Sequence, residues 1–216
     1  MKSLKIKVCG MRDTNNIKAL SSLQIDFMGF IFYENSSRNA TSILDSLFVK
    51  ELPSKIIKTG VFVNAEVDFI VEKTKKFGLG ALQLHGTESV EYIYKLKNNE
   101  SLKNVKILKA FNVDGDFDFR KISEYAECID YYLFDAKGKH LGGNGIQFDW
   151  EVLKKFTLKK PFFLSGGIDI DDVEKIKNLS TVQQNLFGVD VNSKFEISAG
   201  LKDIEKIKTF IYKLKN

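Results

Sequence analysis

Cys9 and Asp135 are the side chains of this sequence best suited to moving protons within a small molecule. A thiolate can act as base and a carboxylic acid as acid, working on opposite sides of one substrate if they stand at separate strand ends. Gly166 and Gly167 close a short apolar run just before a helix-forming stretch that starts at Ile170. Backbone amides without side chains, next to a helix N-terminus, suit an anion such as phosphate. Asn192, Ser193 and Lys194 follow the next apolar run and bring polar groups and a cation toward the same spot. His85 ends one further run, and Asn35 to Arg38 follow another. Plainer readings stand beside each of these. Cys9 also fits a small core position, Asp135 a helix cap, and Gly166-Gly167 a tight turn without a ligand.

Zinc is the competing use of cysteine and histidine. Cys9, Cys128, His85 and His140 have no paired-ligand spacing, so no metal is expected. No Walker-A loop and no G-x-S-x-G nucleophile elbow occurs.

The elements that must position these residues recur along the chain. Apolar runs rich in Val, Ile, Phe and Leu occupy residues 4–9, 27–32, 58–63, 81–85, 106–111, 131–135, 161–165 and 187–191. Their last residues fall 22 to 31 positions apart, room for one loop and one helix each time. Val67, Ile70, Val71 and Thr74 share a helical face in residues 66–76, and Ile204, Ile207, Ile211 and Leu214 share one in 203–215. Strand alternating with helix argues for a parallel sheet, and eight such units in 216 residues predict a single (β/α)8 barrel over residues 1–216. In such barrels the chemistry sits at the C-terminal strand ends, and phosphate commonly binds after strands seven and eight. Cys9, His85, Asp135, Gly166-Gly167 and Asn192 to Lys194 all stand at those ends. One barrel with one site is expected.

Composition narrows the partners. Basic residues number 33 against 28 acidic, a net charge of +5, yet three alone are arginines: Arg12, Arg38 and Arg120. The lysines are interleaved with Asp and Glu, as in Lys202-Asp203 and Glu205-Lys206, which suits solvated helix faces better than a nucleic-acid footprint. No run reaches the ~18 apolar residues a spanning helix needs, and the first residues carry no apolar signal core. Two cysteines fit a reducing compartment. The expected protein is cytoplasmic, with neither nucleic acid nor membrane as a partner.

Period-two alternation sets Lys5, Lys7 and Cys9 on one face of the first strand. An inward Cys9 therefore implies an inward Lys7, and a buried ammonium needs a partner. Asp190, on the eighth strand beside the first, is the candidate; the alternative is a later strand start with Lys7 in solvent. The segment 138–145, with four glycines at 138, 142, 143 and 145, is expected to form a lid after the acid.

Taken together, the ordered segments are more specific than any one of them. They include Lys7-Val8-Cys9-Gly10-Met11, Gly29-Phe30-Ile31-Phe32 through Ser36-Ser37-Arg38, Gly60-Val61-Phe62-Val63-Asn64 and Leu82-Gln83-Leu84-His85-Gly86. Phe134-Asp135, Gly142-Gly143-Asn144-Gly145, Phe148-Asp149-Trp150, Ser165-Gly166-Gly167-Ile168 and Gly188-Val189-Asp190-Val191-Asn192-Ser193 follow. From Lys5 to Asp203 the chain resembles the phosphoribosylanthranilate isomerase family of tryptophan biosynthesis. The resemblance implies a single barrel without metal or organic cofactor and an Amadori rearrangement of N-(5-phosphoribosyl)anthranilate. It matches Cys9 to the general base, Asp135 to the general acid, Arg38 to an arginine near the anthranilate end and His85 to a histidine bordering the pocket. Gly166, Gly167, Asn192 and Ser193 match the phosphate grip, and Lys194 and Asp190 complete the expected substrate-binding set. The expected partner is a phosphorylated small molecule, and the expected assembly a monomer or homodimer.

The chain departs from the family pattern at four positions. Asn192 stands for a serine, Lys194 for a glycine, Ser37 for a proline and Asn144 for a hydroxyl residue. None removes the acid or the base. Two rivals remain: a histidine-pathway sugar isomerase, whose pattern has an aspartate where Cys9 stands, and a non-catalytic phosphate- or nucleic-acid-binding barrel.

Overall fold

The computed structural model describes residues 3–136 and 147–216; the expected lid at 138–145 lies outside the described residues. Eight parallel strands follow one another around a closed barrel. They are β1 (Lys5–Val8), β2 (Phe27–Ile31), β3 (Ile57–Phe62), β4 (Ala81–Leu84), β5 (Lys106–Val113), β6 (Tyr131–Ala136), β7 (Phe162–Leu164) and β8 (Leu186–Val191). β1 pairs with both β2 and β8, which closes the ring and sets Lys7 opposite Asp190.

Four helices follow the first four strands: α1 (Thr14–Ser21), α2 (Ser46–Lys50), α3 (Val67–Phe77) and α4 (Val90–Lys97). α5 (Val173–Val182) follows β7 and α6 (Ile204–Lys215) follows β8. Asp13, Asp45, Ser89 and Asp203 start α1, α2, α4 and α6 by accepting a first-turn amide on their side chains. Ile70 and Thr74 of α3 and Ile207, Ile211 and Leu214 of α6 turn inward as their spacing requires.

After β5 and β6 the chain forms 3-10 turns instead, at Phe119–Glu127 and Trp150–Lys155. Phe119, Ile122, Tyr125 and Cys128 recur every third residue, the period of a 3-10 helix, and Phe119, Ile122 and Cys128 are buried. A further element breaks the alternation after β8. β9 (Glu196–Ser198) and β10 (Leu201–Lys202) pair antiparallel as a small hairpin in a stretch the sequence pattern leaves as loop.

Two apolar layers hold the barrel. The larger lies between sheet and helices, and the smaller fills the interior with Phe27, Ala81, Leu108, Ala110, Leu133 and Phe163. Phe27 meets Phe163 edge to face with ring centres 5.2 Å apart. Moving two residues toward the C-terminal strand ends replaces these apolar groups by polar ones. Ala81 gives way to Gln83 and His85, Leu133 to Asp135, and Phe163 to Ser165. The same alternation that packs the floor thus delivers the polar groups above it.

Candidate active site

Lys7 is fully buried, and its Nζ lies 2.9 Å from Asp190 Oδ2. Burial works against the Lys7 ammonium, but Asp190 and the neighbouring Cys9 sulfur outweigh it and hold its pKa above the ordinary lysine value. The inward alternation of β1 is therefore real, and it seats Cys9 one step above the ion pair. Cys9 is a free thiol, 4% exposed. Burial pushes the thiol up, Lys7 draws it down, Asp190 pushes it up again and Lys202 draws it down; the balance lies above the ordinary thiol value.

On β6, three strands away around the ring, Asp135 is 8% exposed. Its Oδ1 accepts the Ala136 amide at 2.9 Å, and its Oδ2 lies 3.3 Å from His85 Nε2. That approach lies within ion-pair range but off the line of a hydrogen bond, so Nε2 has no hydrogen-bond partner among the described residues. Gln83, two residues before His85 on the same inward face, meets His85 Nδ1 through its side-chain nitrogen at 2.7 Å. With the Gln83 amide nitrogen as donor, Nδ1 is the acceptor, and a neutral ring then carries its proton on Nε2, facing the acid. Gln83 Oε1 and Asp190 Oδ1 are likewise buried without hydrogen-bond partners among the described residues, and all three residues line the pocket. Buried polar atoms left in this way are groups a polar ligand can satisfy.

Gly166 explains how Asp135 fits. Its φ is +89°, and a Cβ there would stand 2.4 Å from the Ala136 nitrogen and 3.0 Å from Asp135 Oδ1. Glycine is the residue that lets the β7 loop close over the acid. Gly167, also at positive φ, continues the turn. Among the described residues, the amides of Gly166, Gly167, Ser193 and Lys194 donate no hydrogen bond. One expectation is corrected here. The helix start at Ile170 is a 3-10 turn, Ile170–Asp172, and α5 begins at Val173. Asp169 takes the Ile170 amide at 2.7 Å and Asp172 takes the Asp169 amide at 2.8 Å. This helix start is capped by its own carboxylates, so the loop amides, not the helix, are available to an anion.

The ten expected site residues converge. Cys9, Arg38, His85, Asp135, Gly166, Gly167, Asp190, Asn192, Ser193 and Lys194 all line one pocket at the C-terminal strand ends. The pocket is partly open to solvent. A family model described as N-(5'-phosphoribosyl)anthranilate isomerase matches residues 6–213. The chain belongs to that family. An N-(5'-phosphoribosyl)anthranilate isomerase from Parabacteroides distasonis is 41% identical over 212 residues, covering 97% of this chain and 92% of that relative. The crystal structure of phosphoribosylanthranilate isomerase from Thermotoga maritima superposes with a TM-score of 0.81 at 28% identity, covering 98% of each chain. A further phosphoribosylanthranilate isomerase structure, in complex with reduced 1-(o-carboxyphenylamino)-1-deoxyribulose 5-phosphate, gives 0.77 at 28% identity, again over 98% of each chain.

Several residues in and around this isomerase-family pocket escape a reading of the sequence. Gln83 is one, although counting back by two from His85 along β4 would have found it. Lys206 is another: its Nζ bonds Asp169 Oδ1 and the Lys194 carbonyl, both at 2.7 Å, and so ties the β7 loop to the β8 loop. Glu196 and Lys202 are the third case. The Arg38 guanidinium is not open on all sides, because Nε and Nη2 donate to Glu196 at 2.7 to 3.1 Å.

Proposed function

We infer that the chain is a phosphoribosylanthranilate isomerase in which Asp135 is the general acid and Cys9 the general base. The carrying observation is that both groups line one pocket from β6 and β1, between the Gly166-Gly167 and Asn192-to-Lys194 loops and Arg38. The substrate is N-(5'-phosphoribosyl)anthranilate, and the reaction is an aldose-to-ketose isomerisation in tryptophan biosynthesis. Asp135 gives its proton to the furanose ring oxygen, and the C1–O bond breaks to leave an imine at C1. Cys9, as thiolate, then takes the proton from C2, and the electron pair moves into a C1–C2 double bond to form the enolamine. The C2 hydroxyl loses its proton and C1 gains one, giving 1-(2-carboxyphenylamino)-1-deoxyribulose 5-phosphate.

The positions of the other groups support this assignment. The amides of Gly166, Gly167 and Ser193, with Lys194 beside them, suit the phosphate. Arg38 presents a planar fork to the anthranilate carboxylate. His85 borders the acid, and Asp190 holds Lys7 beneath the thiol. Electrostatic help is needed at Cys9, because its thiol must ionise against burial. The whole chain acts as one catalytic barrel, in the cytoplasm, as a monomer or homodimer. A thiol on β1 disfavours the histidine-pathway alternative.

The test is direct. Phosphoribosylanthranilate generated in place is fluorescent, and the purified protein should abolish that fluorescence in a single kinetic phase. Unchanged fluorescence with a folded protein, together with binding of a phosphate ligand, would favour the non-catalytic barrel.

A further inference from the structure

Glu196 and Lys202 come together because of the hairpin after β8. They occupy paired positions on β9 and β10, and both side chains are almost fully buried. The backbone of Lys202 is pinned at both ends by one side chain: its amide donates to Asn16 Oδ1 and its carbonyl accepts from Asn16 Nδ2, each at 2.8 Å. From there Lys202 Nζ donates to Glu196 Oε1 at 2.5 Å and to Asn192 Oδ1 at 2.7 Å. Glu196 also accepts the Gly200 amide at 3.0 Å and grips Arg38 through Nε and Nη2. The Arg38, Asn192 and Lys202 side chains meet over Gly10, beside Cys9. A Cβ on Gly10 would lie 2.8 Å from Arg38 Cδ, 2.8 Å from Asn192 Oδ1 and 3.4 Å from Lys202 Nζ.

Two consequences follow from this arrangement. Glu196 occupies the Nε–Nη2 edge of the guanidinium, while Nη1 takes no partner among the described residues. The Nη1–Nη2 edge is the one left for a second carboxylate to take side-on. The charges matter as much. Arg38 and Glu196 alone sum to zero and would not attract an anion, whereas Lys202, held as an ammonium by Glu196 against the downward pull of burial, returns the group to +1.

We propose that Glu196 and Lys202 are positioning residues for substrate carboxylate recognition, Glu196 fixing which edge of Arg38 faces the aryl carboxylate and Lys202 preserving its positive charge. This rests on the isomerase reading above. Lys202 itself is covered by Glu196 and Asn192 and does not line the pocket, so it acts through Arg38.

The experiment compares two ligands on the whole protein. One is reduced 1-(o-carboxyphenylamino)-1-deoxyribulose 5-phosphate, which carries the aryl carboxylate; the other is ribulose 5-phosphate, which lacks it. Lys202→Gln keeps a donor but removes the charge. It should weaken the carboxylate ligand about 10- to 100-fold, the size of one charge interaction over several Å of partly screened protein. Ribulose 5-phosphate should bind as it does to the parent. Glu196→Gln should weaken the carboxylate ligand alone as well, and should add no further loss in an Arg38→Met background, since it acts through Arg38. Equal losses for both ligands would mean a merely structural role and would overturn the proposal, as would parent-like affinity for the carboxylate ligand in Lys202→Gln. Should Lys202→Gln not fold, the Glu196→Gln cycle with Arg38→Met decides alone. A folded parent that binds neither ligand refutes the isomerase reading itself.

Discussion

Replacing Gly166 by alanine adds one methyl group at the point where the β7 loop crosses the acid. The new carbon would stand 2.4 Å from the Ala136 nitrogen, 2.8 Å from the Ala136 Cβ and 3.0 Å from Asp135 Oδ1. The two nearest are backbone and a backbone-fixed carbon, so no flexible side chain can move aside. Reaching ordinary contact at about 3.4 Å needs a shift of about 1 Å between the β6 end and the β7 loop. Holding a non-glycine residue at a φ of +89° adds backbone strain of about 1–2 kcal/mol. Overpacking adds about 1–3 kcal/mol, for a total loss of about 2–5 kcal/mol in chemical denaturation. The catalytic effect has a separate origin. Displacing a proton-transfer group by about 1 Å costs about 100-fold in turnover. Urea titration and fluorescence kinetics on Gly166→Ala read the two effects independently. A variant with parent-like stability and parent-like turnover would refute the claim that this glycine is what admits the acid.

Lys7→Met should destabilise the barrel by about 3–5 kcal/mol, because it strands Asp190 in the interior, and Lys7→Met/Asp190→Leu should recover much of that loss. A loss under about 1 kcal/mol in the single variant would show the pair to be dispensable. For Cys9, burial and Asp190 outweigh Lys7 and Lys202, so the thiol of the ligand-free protein should ionise above the ordinary value of 9.0. Thiolate ultraviolet absorbance in a Cys128→Ser background reads this, and a midpoint below 9.0 contradicts that balance of charges. Gly167→Val should severely weaken binding of a phosphate analogue, whereas Lys194→Ala, at an exposed side chain, should weaken it modestly. Parent affinity in Gly167→Val would move the phosphate elsewhere.

Strand positions were legible because each strand lies in a short stretch rich in apolar residues, and the observed ends fall within two residues of the expected ones. Alternation also carried Lys7 to Asp190, since an inward Cys9 fixes the direction of Lys7. Local pattern did not reach contacts made over long separations. Arg38 finds Glu196 158 residues later, and Asn16 finds Lys202 186 residues later. Glu196 and Lys202 lie in strands of three and two residues, too short to show a period. The helix expected from Ile170 was misplaced by one turn because Asp169 and Asp172 cap each other's backbone and hold a 3-10 start. The turns at Phe119–Glu127 and Trp150–Lys155 were hidden because a spacing of three is also half of a helical i, i+3, i+4 pattern.

The two-residue mechanism is tested most directly by turnover of phosphoribosylanthranilate in Cys9→Ser and Asp135→Asn, with binding of the reduced product analogue measured on the same preparations. Cys9→Ser barely changes volume but replaces an ionisable thiol by a hydroxyl too weakly acidic to act as base. Asp135→Asn keeps the shape and removes the transferable proton. Each should cut turnover by about two to four orders of magnitude, the usual share of one general acid or base, while analogue affinity stays near that of the parent. Near-parent turnover in Cys9→Ser alongside an inactive Asp135→Asn would contradict the account, leaving one acid to carry both proton transfers.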